Sequence, residues 1–264
     1  MINFLTHRSN QEDMRIIIGL TLALSVFSAC NSGINGEKTV GNNHTVEPVD
    51  SLLDSVYHAH GELGNYRFVF RGDQYSFQFN EGNYIYSKSS NKSGKLLRDT
   101  LTNNGFVRYA DGARLILSKE EEAKYAESLN SVIYFVCLPL KLKDPAANKT
   151  KLDDCIINES VYATISVHFD EEGGGTDFDD VFYYWINQNT NQVDFIAYKY
   201  STNGGGVRFR SAFNSRMIGK MRFQDYLNYE APIGKPLAEL PLLFEKDSLK
   251  LLSEIITESV EPIP

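Results

Sequence analysis

The sequence predicts an α+β protein that is mostly β, built on antiparallel strands with a few packing helices. Three observations predict it. Short runs of alternating apolar and polar residues recur between turn dipeptides such as Arg71-Gly72, Glu81-Gly82 and Asp111-Gly112, the pattern of hairpins joined by tight connections. Aromatic residues make up 12% of the chain, 16 Phe and 15 Tyr with one Trp, and such side chains suit a pleated, half-buried surface. No strand–helix–strand alternation and no convincing repeat runs through the sequence, which argues against a parallel α/β sheet or a TIM barrel.

The first segment is an address rather than a fold element. Arg15 precedes an uncharged run from Ile16 to Cys30, shorter than the roughly 20 apolar residues a spanning helix needs. A basic flank, a short apolar stretch and small residues before a cut form a secretory signal. Phe27-Ser28-Ala29-Cys30 resembles the bacterial lipobox, so Cys30 is the expected lipidation site and the mature N-terminus. Met14-Arg15 reads as the natural start, with residues 1–13 an upstream extension. Residues 30–47 follow as a lipidated Cys and a polar, Gly-rich tether, and residues 48–264 form one β-rich domain. Stable attachment needs more than one acyl chain, since each buried CH₂ contributes roughly 0.8 kcal/mol. The expected place is the cell envelope, lipid-anchored at the outer membrane and facing the periplasm.

Within the domain, Val49, Leu52, Leu53, Val56, Tyr57 and His60 recur at helical spacing and Gly61 supplies a stop. Strands are expected over 66–70, 75–79, 84–86, 96–101, 105–109 and 113–117. A helix starts behind Ser118 and runs over 119–136, with Tyr125, Leu129, Val132 and Ile133 as its apolar stripe. Lys141 to Thr150 reads as an exposed loop. Strands follow over 161–169, over the doubly apolar Val181–Ile186, over 193–200 and over 207–210. Leu249, Leu252, Ile255 and Ile256 predict a terminal helix near 246–257.

Charge narrows the function classes. The formal net charge is −8, and loss of residues 1–29 removes two basic and two acidic residues, leaving it unchanged. An acidic chain without a basic face argues against nucleic-acid binding. The densest polar cluster, residues 170–180, sets Asp170, Asp177, Asp179 and Asp180 around a Gly triplet, oxygen donors of the kind Ca²⁺ takes. It lacks the order of an EF-hand loop, and the alternative is a solvated acidic hairpin tip. His58, His60 and His168 stand without the spacing of a zinc site. After Cys30 the thiols are Cys137 and Cys155; outside the cytoplasm they are allowed to pair, and a buried free thiol at Cys137 is the alternative. No GxSxG, P-loop or dinucleotide fingerprint is present, so a non-catalytic role is favoured over a hydrolase or lyase with Asp/His chemistry.

Several strings carry a family resemblance: Ser131-Val132-Ile133-Tyr134-Phe135, Leu138-Pro139-Leu140 with Asp144-Pro145-Ala146, Phe169 to Gly175, Tyr184-Trp185-Ile186-Asn187, Ala197-Tyr198, Gly205 to Arg210, and Asp225-Tyr226-Leu227-Asn228-Tyr229. Together, over roughly residues 50–230, they resemble an uncharacterised family of Bacteroidota lipoproteins, a domain of unknown function. That family is distantly similar to LolA/LolB-like lipoprotein carriers. The resemblance implies a curved antiparallel sheet, a half-barrel closed by helices around an apolar cavity, and it carries no catalytic residues. Tyr75, Phe77, Phe79, Tyr84, Tyr86, Trp185 and Phe209 are then the expected lining, for a hydrophobic ligand or a lipoprotein partner. Arg208 and Arg210 alternate with Val207 and Phe209. If their face looks into the cavity, they are placed to hold an anionic head group; if it faces out, they are solvated or paired. A scaffold whose interior is filled is the remaining alternative.

Overall fold

The computed structural model describes residues 49–170, 180–201 and 204–264. Residues Val46–Pro264 cluster as one compact unit. The architecture is mostly β and antiparallel, as expected, with the strands divided between two seven-stranded sheets, neither closed into a barrel.

The first sheet contains β1 (Tyr66–Phe70), β2 (Asp73–Asn80), β3 (Asn83–Lys92), β4 (Lys95–Thr102), β5 (Gly105–Ala110) and the two-residue β6 (Ala113–Arg114). Its meander follows from its turns. The pairs Arg71-Gly72, Glu81-Gly82, Ser93-Gly94 and Asp111-Gly112 all take positive φ, the backbone whose twist matches that of the flanking strands. Register then stacks aromatic residues across strands, Tyr66 opposite Phe77, Phe68 opposite Tyr75 and Phe77 opposite Tyr86. Pairs of this kind contribute up to about 1 kcal/mol each.

Two helices flank the sheets. In α1 (Val49–His60), Leu52, Leu53, Val56 and His60 are buried, and Gly61 ends it at φ 85°. A Cβ at position 61 would stand 2.0 Å from the Lys220 carbonyl oxygen, so only glycine fits. In α2 (Lys119–Val136), the Ser118 side chain accepts from the Glu121 amide and Glu121 accepts from the Ser118 amide, a capping box that satisfies two free donors. Leu129 and Ile133 pack on the first sheet, while Tyr134 and Phe135 pack on the second. The helix is thereby a wall between the two.

The second sheet runs through β7 (Ala147–Ile157), β8 (Ser160–Phe169), β9 (Val181–Asn187), β10 (Val193–Tyr200), β11 (Gly206–Ile218) and β12 (Met221–Ala231). Both of its faces are buried. One carries Ile165, Val167, Phe182, Tyr184 and Ile196. The other carries Tyr162, Trp185, Phe195 and Phe209 beneath Leu240 of α3 (Leu240–Glu245) and the partly buried Phe244.

Three expectations change. Residues 141–150 are not a loop: Leu140 and Leu142 are buried in a single 3₁₀ turn, and β7 begins at Ala147. That strand escapes a period-2 reading because it is a polar edge strand interrupted by a bulge between Leu152 and Cys155. The helix expected over 246–257 is instead β13 (Lys250–Ile255), followed by β14 (Glu258–Pro262). β13 pairs with β12 and β14 with β1, so the free edges of the two sheets outweigh a weak helical spacing. The short helix lies earlier, at α3. Finally, one curved sheet is replaced by two, which these last strands link.

Candidate functional site

Between the sheets, walled by α2, lies a cleft of about 720 Å³, within the size range of small-molecule sites. β3 contributes Tyr84 and Tyr86, β10 contributes Tyr198 and Tyr200, and β11 contributes Arg208 and Arg210. Phe135, Phe169 and Phe182 extend the aromatic wall, and Ala123 and Ala126 of α2 keep room beside it.

Register explains why these side chains meet. Tyr198 stands opposite Arg208 and Ile196 opposite Arg210, so alternation sends both arginines into the cleft and sends Val207 and Phe209 to the other face. The Arg208 guanidinium donates to the Tyr200 hydroxyl at 2.7 Å and to its neighbour's carbonyl at 3.0 Å, and approaches Glu230 at 3.5 Å. Gly206 permits this arrangement, because a Cβ there would meet the Tyr200 hydroxyl at 2.5 Å. Arg210 lies deeper, 7% exposed. It donates to the Tyr198 hydroxyl at 2.9 Å and stands 3.7 Å from the Phe135 ring centroid, within cation–π reach.

The floor is polar but poorly satisfied. Burial raises the Tyr134 hydroxyl above the usual tyrosine range, and burial beside Tyr134 does the same to Tyr184. The two hydroxyls lie together without a well-formed hydrogen bond, and the Arg210 Nε is buried with no acceptor. Burial pushes the nearby Tyr226 up to about 12 even though Gln224 donates to its hydroxyl.

The expected lining residues separate. Tyr84, Tyr86, Arg208 and Arg210 line the cleft. Tyr75 and Phe77 are enclosed in the packed core of the first sheet, with Phe79 against its margin. Trp185 and Phe209 lie on the far face of the second sheet, under α3. Residues absent from the expectation, Tyr134, Phe135, Phe182, Tyr198 and Tyr200, form much of the wall. Carrying the arginines' alternation across the β10–β11 hairpin would have found Tyr198.

Of the acidic cluster, Asp170 is exposed and accepts from Asn148 at 2.7 Å, and Asp180 is buried at the cleft. Asp177 and Asp179 lie outside the described residues, as does Cys30. Among the described residues no three His, Cys, Asp or Glu side chains gather as a metal site, and no helix is long and apolar enough to cross a membrane. Cys137 and Cys155 are both free; burial pushes the Cys137 thiol up to about 12. His60 accepts the Val193 amide at 3.2 Å, His58 and His168 are exposed, and none of the three lines the cleft. A wider hollow of about 920 Å³ beside α1 includes Asp50, Asp54, Lys143 and Lys220. Its lysines are engaged with neighbours, Lys220 with Glu62 at 3.3 Å and Lys143 over the Tyr57 ring.

Two solved structures are similar to this chain in part. A LolA superfamily protein from Nitrosomonas europaea is 12% identical over 81% of this chain and 93% of its own, with a TM-score of 0.45. A putative outer membrane lipoprotein-sorting protein domain from Vibrio parahaemolyticus is 7% identical over 74% of this chain and 97% of its own, with a TM-score of 0.40. No curated protein matches the sequence. Neither structural likeness carries weight for function, so the cleft has to be read from its own residues. At the level of sequence, residues 59–257 match a family of unknown function, DUF6503, and the chain belongs to that family.

Proposed function

We propose that this is a binding protein of the cell envelope, held to the outer membrane by lipid on Cys30. In its inter-sheet cleft it accommodates the apolar part of an amphipathic molecule or of a lipoprotein partner. The observation that carries the reading is the aromatic-walled space of about 720 Å³ left between the two sheets. A scaffold with a filled interior would have closed it, since apolar surface left open forfeits about 25 cal/mol per Å². The leader and the lipobox-like Phe27-Ser28-Ala29-Cys30 support the location.

Native mass spectrometry of the protein purified from membranes tests the proposal. The expected result is a population heavier than the chain by the mass of a co-purified amphiphile. An Ala123→Trp variant, which places a large ring at the cleft from an exposed position on α2, is expected to lose that population while unfolding at the wild-type temperature. A single unliganded mass for the wild type, with no uptake of an added hydrophobic probe, would falsify the binding role.

A further inference from the structure

Among the described residues, the cleft contains an arginine that forms no ion pair. Two half-buried arginines are paired with carboxylates, Arg108 with Asp99 at 2.6 Å and Arg216 with Asp225 at 3.1 Å, and a third, Arg222, donates to the Ala59 carbonyl at 2.9 Å. None of the ion pairs among the described residues includes Arg210, although it is 7% exposed. Its contacts are the Tyr198 hydroxyl and the ring faces of Phe135, Tyr198 and Tyr226, and its Nε–H has no acceptor.

A desolvated guanidinium without an anion is an unfavourable arrangement, and aromatic faces offset only part of the loss. Its fork matches an oxyanion, which accepts two parallel N–H bonds. An anion entering the cleft would accept from the Arg210 guanidinium beside the Tyr198 hydroxyl. Lys141, over the rings of Phe79 and Tyr86, adds positive potential from the opposite wall. The rest of the wall is aromatic and aliphatic, which favours an apolar body behind the charged head.

We propose that the cleft is selective for anionic amphiphiles, with a carboxylate or phosphate head seated on Arg210 and the apolar body laid along Tyr84, Tyr86, Phe169 and Phe182. This rests on the reading of the cleft as a ligand site and adds to it a class of ligand and an orientation, head inward. A neutral lipid of equal length is disfavoured by the same arrangement, because it would bury Arg210 further without supplying an acceptor of matching charge.

The test is calorimetric titration of the full chain with laurate, dodecyl phosphate, dodecanol and inorganic phosphate. Laurate or dodecyl phosphate is expected to bind about tenfold or more tightly than dodecanol, the scale of a hydrogen bond to a charged group. Whichever head binds better identifies the oxyanion. Arg210→Gln is expected to remove that advantage, so that laurate, dodecyl phosphate and dodecanol bind alike. Arg210→Lys, which keeps the charge without the fork, is expected to retain part of it. The ligand series on the unaltered protein stands even if a variant fails to fold. Equal binding of laurate, dodecyl phosphate and dodecanol would overturn the anionic selectivity while leaving the cleft a lipid site. Inorganic phosphate binding as tightly as dodecyl phosphate would overturn the amphiphile assignment. No binding by any of the alkyl probes would overturn this inference and the binding role together.

Discussion

His60 shows what one residue does when its surroundings, not its type, set its chemistry. Burial first, and the Arg222 charge second, hold its pKa at about 3 against an ordinary 6.5. The neutral ring then accepts the Val193 amide through Nε2. The unfolded chain takes up a proton at His60 below pH 6.5, whereas the folded chain resists doing so until about pH 3. Its contribution to stability is therefore complete above 6.5 and declines as pH falls between those limits, by about 1.4 kcal/mol per pH unit at most. Urea unfolding of the wild type and of His60→Gln, which keeps an acceptor for Val193, is expected to converge as pH falls through that window. Parallel pH profiles would show that His60 is not held neutral. The helical position of His60 was legible in the sequence; its role was not, since its amide partner lies 133 residues away.

At the scale of the element, α2 was the most legible part of the chain. Ser118 and Glu121 stand at capping-box spacing, Glu120, Glu121 and Glu122 favour the helix N-terminus, and the apolar stripe follows. Ser118→Ala is expected to destabilise the protein by about 1 kcal/mol, read as a lowered urea midpoint with an unchanged slope. A loss within error would mean that tertiary packing alone fixes the helix start. The last strands show the converse. Leu249, Leu252, Ile255 and Ile256 have a helix-like spacing, yet β13 takes the ladder along β12 and leaves Leu251 and Leu252 half-exposed. A local pattern of four residues does not outweigh a row of backbone hydrogen bonds along an open edge.

For the whole molecule, the two sheets are tied together where β13 turns into β14. Asp225, on β12 and fully buried, accepts from the Thr257 amide at 2.9 Å, from the Thr257 hydroxyl at 3.0 Å and from Asn214 at 2.6 Å. Arg216 of β11 reaches the same carboxylate at 3.1 Å and also the Thr257 hydroxyl at 2.8 Å. Removing the carboxylate leaves Arg216 without its counter-charge and the Thr257 amide without its acceptor, so Asp225→Ala is expected to lose about 3 kcal/mol or more. Asp225→Asn, which keeps one acceptor oxygen, is expected to lose less. Chemical denaturation compares the two, and equal losses would mean that the charge contributes nothing beyond its shape.

By itself the sequence determined what neighbouring residues settle: the antiparallel, mostly β class through its two-residue turns, the end of α1 through Gly61 and the start of α2 through Ser118. It also placed Arg208 and Arg210 on one face, because alternation along a strand is local. Tertiary structure decided which face met what. Tyr66 pairs with Pro262 and Arg208 with both Tyr198 and Glu230, and these pairings divide fourteen strands between two sheets and leave the cleft open between them. The aromatic excess thus resolved into packed core at Phe77 and Trp185 and into cleft wall at Tyr84 and Tyr198. A single strand cannot distinguish those outcomes, since burial is set by the chain packed above it, and here that chain arrives from far along the sequence.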